Sequence, residues 1–247
     1  MKIICIDSSG LVASVAVVED DNLIAEYNVQ YKKTHSQTLL PMLDEIKKMI
    51  DLDLSTVDAV AIAKGPGSFT GLRIGSATAK GLCQALDIPI IEIGTLEGMA
   101  CNCFGSNDLI VPIMDARRNQ VYTGIFGFEP ENDSYVMKTY LQDCALDIDE
   151  LTEKVNEIAE NTGKTAVFLG DGVPVFADQI SQKIKCRFIF APAHMNRQRA
   201  AAFGSYALNK LRNNEVVPYA EHAPGYLRLS QAERERNEGI RNKGSNY

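Results

Sequence analysis

Residues 2–29 read KIICIDSSGLVASVAVVEDDNLIAEYNV. Lys2 to Ile6 is rich in β-branched residues and runs into Asp7-Ser8-Ser9-Gly10, a turn-prone cluster. Residues 12–19 alternate, Asp20-Asp21-Asn22 turns, and residues 23–29 alternate again. The spacing predicts a three-stranded antiparallel meander. A helix follows from Ser36 to Ile50, with Leu39, Leu43, Ile46 and Ile50 on one stripe. Then come a buried strand at 58–63, a small-residue helix from Leu72 to Leu86, a strand from Ile90 to Ile93 and a helix from Thr95 to Phe104.

The order then restarts. LIVPIM at 109–114 ends at Asp115 as the first strand ends at Asp7, and 120–128 and 135–141 alternate. A helix from Asp149 to Asn161, a strand at 166–169 running into Gly170-Asp171-Gly172, a helix, a strand from Arg187 to Phe190 and a helix from Arg197 to Leu211 complete the second round. The antiparallel opening of each half argues against an all-parallel dinucleotide-binding sheet. Two such halves predict an α/β protein of the actin-like, Hsp70 and sugar-kinase (ASKHA) class, with two ribonuclease H-like lobes. The expected division is 1–106 and 107–230, followed by a polar tail at 231–247.

Composition narrows the function. Of 247 residues, 45% are apolar and 23% charged, and the net charge is −7. An acidic chain repels a phosphate backbone and is a poor candidate for gripping nucleic acid by itself. The six cysteines are scattered without a CxxC pair, as expected of buried thiols in a reducing cytoplasm. No apolar stretch is long enough to span a bilayer, so no membrane partner is expected.

Gly65-Pro66-Gly67-Ser68-Phe69-Thr70-Gly71 follows a strand and opens a helix, a position that suits an anion cradle. It lacks the GK[ST] of a P-loop and misses GxGxxG by one residue. A tight turn packed closely on its neighbours is the competing reading. Asp7, Gly65 and Gly67 are the candidates for a nucleotide contact. Asp115 is followed by the bulky Ala116-Arg117-Arg118-Asn119, a poor cradle for phosphate. His35, His194 and His222 form no i, i+4 pair, and Ser68 sits in no GxSxG, so neither a helical metal pair nor a nucleophile elbow is present. No cofactor and no catalytic residue are expected.

Five stretches in order resemble the TsaB (YeaZ) family. They are Ile6-Asp7-Ser8-Ser9, His35-Ser36-Gln37-x-Leu39-x-Pro41, the eleven residues Gly65 to Gly75 (GPGSFTGLRIG), Asp115-Ala116-Arg117-x-x-x-Val121-Tyr122, and Pro224-x-Tyr226-Leu227-Arg228. The likeness spans residues 3 to about 230; Gln120 departs from it where the family often has Glu. It implies a non-catalytic dimerisation and scaffold subunit in the formation of threonylcarbamoyladenosine in tRNA. Such a subunit would bind the transferase TsaD, with the ATPase TsaE joining, would form a homodimer alone, and would meet tRNA only within the complex. TsaD uses an HxxxH metal site that this sequence lacks. A sugar-kinase-like phosphotransferase using Asp7 and the glycine loop is one alternative, and a glycoprotease-like peptidase another.

At about 100° per residue, Arg73, Ser76, Lys80, Gln84 and Asp87 share one polar sector of the 72–86 helix, leaving far more apolar circumference than one sheet can cover. In the 36–50 helix, Met42 and Met49 flank the stripe on one side and Leu40 on the other. The expected partner surface is therefore Leu40, Met42, Met49, Ile74, Ala77, Thr78, Gly81 and Ala85.

Overall fold

The computed structural model describes residues 1–31, 34–132 and 134–228; the tail at 231–247 lies outside the described residues. The meander forms as expected. Strand β1 (Lys2–Asp7) pairs antiparallel with β2 (Val12–Glu19), which pairs antiparallel with β3 (Asn22–Gln30). Strands β4 (Ala59–Ala63) and β5 (Ile90–Ile93) add in parallel on the other side of β1, giving the order β3-β2-β1-β4-β5.

The second half repeats this. Strands β6 (Leu109–Asp115), β7 (Gln120–Glu131) and β8 (Ser134–Asp147) form the meander, with β9 (Ala166–Leu169) and β10 (Phe188–Phe190) parallel beyond β6. The order β10-β9-β6-β7-β8 is the same topology met from the other end. Two mixed sheets of this order make the chain an α/β protein of the actin-like, two-lobed ASKHA class.

Both faces of each sheet are covered, which is why β1 is a continuous apolar run. Ile4 and Ile6 face α1 (Leu39–Met49) and α2 (Phe69–Leu86), in one cluster with Leu43, Ile46, Ala79 and Cys83. Ile3 and Cys5 point to the opposite face. The second sheet packs α4 (Ile148–Thr162) and α5 (Val173–Lys183) on one side, through Leu151, Val155, Phe176 and Ile180.

The third helix of each half corrects the sequence reading. Helix α3 (Thr95–Ala100) lies on the second sheet, where Leu96 and Met99 cluster with Ile110, Phe126 and Leu169. Helix α6 (Gly204–Arg212) and the 3-10 turn before it lie on the first sheet, where Phe203, Ala207 and Leu208 cover Ile3, Cys5, Ala61 and Ile93. The halves thus exchange helices, and a cut at 106/107 separates the sheets without separating the cores. The two exchanged segments meet where a Cβ on Gly98 would stand 2.9 Å from the Phe203 ring. Helical periodicity shows that a face is apolar and carries no information on which sheet it will cover.

Candidate functional site

Two places gather the singled-out residues: the cleft between the sheets and the outer face of α2. The cleft has a volume of about 460 Å³, with Ser9, His35, Ser68 and Thr70 on one wall and Asp115, Arg117, Tyr122 and Asp171 on the other.

Asp7 does not reach the cleft. It is buried, and its carboxylate accepts the Ser9 N–H at 2.9 Å and the Ser9 hydroxyl at 2.6 Å, closing the turn after β1. Burial pushes its carboxyl up to about 6, against those two bonds. The glycine loop is packed onto this turn. A Cβ on Gly67 would stand 2.2 Å from the Ser9 carbonyl oxygen, and one on Gly71 would stand 2.2 Å from that of Ser8. Neither Gly67 nor Gly71 has a positive φ; the left-handed glycine of the loop is Gly65, at φ 127°.

Two of the loop's backbone donors are taken up within the chain. Ser68 N–H donates to the Ser9 carbonyl at 2.7 Å, and Gly71 N–H donates to the Ser68 hydroxyl at 3.3 Å, capping α2. On the facing wall, the Asp115 carboxylate accepts its own turn's Arg117 N–H at 2.8 Å. Asp171, whose carboxyl burial holds above its ordinary value, accepts the Asp115 N–H at 3.3 Å. The Ser8 and Ser9 carbonyls thus fill the concave side of the loop, and Asp115 and Asp171 stand on the opposite wall. Among the described residues no group of three or more His, Cys, Asp or Glu could hold a metal ion. The five motifs of the family pattern, scattered in sequence, converge here instead as packing partners. His35 Nε2 donates to the Gly10 carbonyl at 2.8 Å, fixing the start of α1 against the β1–β2 turn.

The comparisons agree with this shared pattern. A family model described as "TsaD: tRNA N6-adenosine threonylcarbamoyltransferase" matches residues 23–236. The tRNA threonylcarbamoyladenosine biosynthesis protein TsaB of Bacillus subtilis is 30% identical over 94% of this chain and 96% of its own. The chain belongs to the TsaB (YeaZ) family. The TsaB protein of Haemophilus influenzae is 38% identical over a shorter stretch, 49% of this chain and 52% of its own. The solved YeaZ from Pseudomonas aeruginosa superposes with a TM-score of 0.74 at 23% identity, over 92% of this chain and 99% of that one, and shows the same fold.

Against the TsaB frame, the expected partner surface divides. On α2, Ala77, Gly81 and Ala85 are exposed at four-residue spacing, and a Cβ on Gly81 would touch nothing within 4 Å. Ile74 and Thr78 flank them, half-buried, and Leu40 of α1 is 53% exposed. Met42 is a correction. It is 5% exposed because α1 lies over β2 and β3, and it packs in the core with Ile46. It reaches only the floor of a groove of about 310 Å³ lined by Tyr27, Val29, Tyr31 and Pro41. Met49 is 84% exposed, but seven residues on from Met42 it falls on this β3 side of α1. The polar sector of α2 is partly covered. Gln84 and Asp87 are exposed, but Ser76 is buried, and Lys80 and Arg73 hold the C-terminal segment 220–226, a covering strip that carries no periodicity of its own. The PxYLR stretch was its sole signal.

Proposed function

We propose that this chain is the non-catalytic scaffold subunit of tRNA threonylcarbamoyladenosine biosynthesis, docking a TsaD-type transferase on the outer face of α2. The observation that carries the reading is the ridge of Ala77, Gly81 and Ala85, which is apolar, without bulk and left uncovered. Small residues at four-residue spacing admit close approach of a second helix. Ile74, Thr78 and Leu40 border the ridge and extend the contact toward α1. The name and full-length likeness of the Bacillus subtilis relative support the pathway. The filled glycine loop and the absence of a metal cluster among the described residues support a role outside the chemistry. In this reading the same ridge joins two copies when the transferase is absent, a TsaE-type ATPase adds to the pair, and tRNA is met through the assembly, in the cytoplasm.

The test is binding of the organism's own transferase by folded variants. Gly81→Arg and Ala77→Arg are expected to keep the melting temperature and lose binding by 100-fold or more, since a charged side chain cannot be accommodated in a helix–helix seam. Light scattering on the isolated variants is expected to show monomers. Normal transferase affinity in both variants places the docking surface elsewhere.

A further inference from the structure

After α6 the described chain makes no further helix or sheet strand, apart from one bridge, yet it is tied down closely. Val217 exchanges two backbone bonds with Ile90 of β5, at 2.9 and 3.0 Å. Lys80 of α2 donates to the carbonyls of Ala220 and His222, at 3.2 and 3.0 Å. The buried His222 pairs its Nδ1 with the Glu92 carboxylate at 2.7 Å. Gly225 N–H donates to the Lys64 carbonyl at 2.7 Å, and a Cβ on Gly65 would stand 2.1 Å from the Gly225 carbonyl oxygen. Tyr226 lies against Phe69, with ring centroids 4.8 Å apart, and its hydroxyl accepts Arg73 Nε at 3.2 Å.

All of these anchors belong to the first sheet and α2. The last one does not. Arg228 donates to the Ala116 carbonyl at 3.3 Å and to Gln120 Oε1, and stands over the Tyr122 ring at 5.6 Å. Those residues bracket the β6–β7 turn, on the far wall of the cleft.

We propose that Val217–Arg228 is a clasp across the mouth of the cleft, and that Arg228 is its catch, adding to the exchanged helices α3 and α6 in setting the angle between the two sheets. The seat is built to receive it. Arg117, Arg118 and Asn119 all lie at positive φ (65°, 56° and 60°), a conformation held by the Asp115 carboxylate and by Ala116 N–H to the Gln120 carbonyl at 2.9 Å. The two acceptors of Arg228 flank this turn and so move with the second sheet as one piece. Among the described residues the strap's side-chain hydrogen bonds to the second sheet come from Arg228, so its loss loosens the sheets at this end of the cleft and leaves the strap in place on the first. The strap also grips Phe69 and Arg73 at the head of α2, so its seating sets how the α2 ridge is presented; that consequence rests on the scaffold reading, and the clasp does not.

The experiment compares the full chain with Arg228→Ala and Arg228→Lys by small-angle X-ray scattering and amide hydrogen exchange. Arg228→Ala is expected to raise the radius of gyration and to speed exchange at the Ala116 and Gln120 amides of the β6–β7 turn about tenfold, with the Gly225 and β1 amides unchanged. Arg228→Lys keeps the charge, loses the two-acceptor fork, and is expected to fall between. Unchanged scattering in Arg228→Ala overturns the clasp. Equal acceleration in β1 also overturns it, because Arg228 is then a general stabilising residue. Transferase binding is measured beside Gly81→Arg: if Gly81→Arg binds normally the scaffold reading fails, and scattering still decides the clasp.

Discussion

The Ser9 carbonyl oxygen occupies the space that a Cβ on Gly67 would need, 2.2 Å from where that atom would be built. The glycine loop is therefore shaped around the β1–β2 turn of its own chain. Gly67→Ala and Gly71→Ala are each expected to cost about 3 kcal/mol, since the obstacle is backbone and cannot rotate away. Gly81→Ala, with open space around it, is expected to gain about 0.5–1 kcal/mol from helix propensity. Urea melts of the three variants check this; equal effects at Gly67 and Gly81 contradict the packing role.

Asp7 is charged at neutral pH at a cost. Its folded carboxyl titrates near 6 because it is buried, above the usual value of about 3.9 for an unfolded aspartate. For an acid raised in this way the ionisation penalty is fully present above about pH 6 and is relieved as pH falls toward about 4. Asp7→Asn keeps an oxygen to accept both Ser9 bonds and is expected to be more stable than the parent at pH 8, by on the order of 2 kcal/mol. The difference is expected to vanish by about pH 4. A variant less stable than the parent at pH 8 would mean that the negative charge has a use.

The close packing of the glycine loop on Ser8 and Ser9 predicts indifference to nucleotide. Neither Mg²⁺–ATP nor a chelator is expected to move the melting temperature of the isolated chain, and no steady-state hydrolysis is expected. A Mg²⁺–ATP shift that disappears in Asp7→Ala would restore the phosphotransferase alternative.

Helix exchange makes the halves interdependent. A chain ending at residue 106 lacks Phe203, Ala207 and Leu208, leaving Ile3, Cys5, Ala61 and Ile93 open to water. It is expected to lack a cooperative melt. In the full chain Phe203→Ala is expected to cost about 3–5 kcal/mol. A folded 1–106 fragment with a sharp transition would contradict the shared core.

Much of the fold was legible because strands and turns are local. Asp7-Ser8-Ser9-Gly10 and Asp20-Asp21-Asn22 punctuate the first meander where β1, β2 and β3 meet. The small-residue pattern also marked Ala77, Gly81 and Ala85 as exceeding what one sheet needs. Long-range packing was not legible. Met42 and Met49 look alike on a helical wheel, and only the position of β3 beneath α1 buries one and leaves the other in water. Nothing in the polar sector that holds Ser76 and Lys80 signals a cover, because the strip over them, Val217–Arg228, is distant in the chain and has no regular structure.

The exchange of α3 and α6 has a consequence for synthesis. The first sheet is complete once Ile93 has emerged, yet the segment that covers its second face, Phe203 to Leu208, follows only after the whole second sheet has been made. Until then β1, β4 and β5 present an apolar surface to solvent, a template for aggregation or for a chaperone. The final closure pairs residues from opposite ends of the chain, a search that slows folding. Overproduction without slower translation or added chaperone is thus expected to favour inclusion bodies, and a circular permutant that makes α6 first is expected to fold faster and stay in solution.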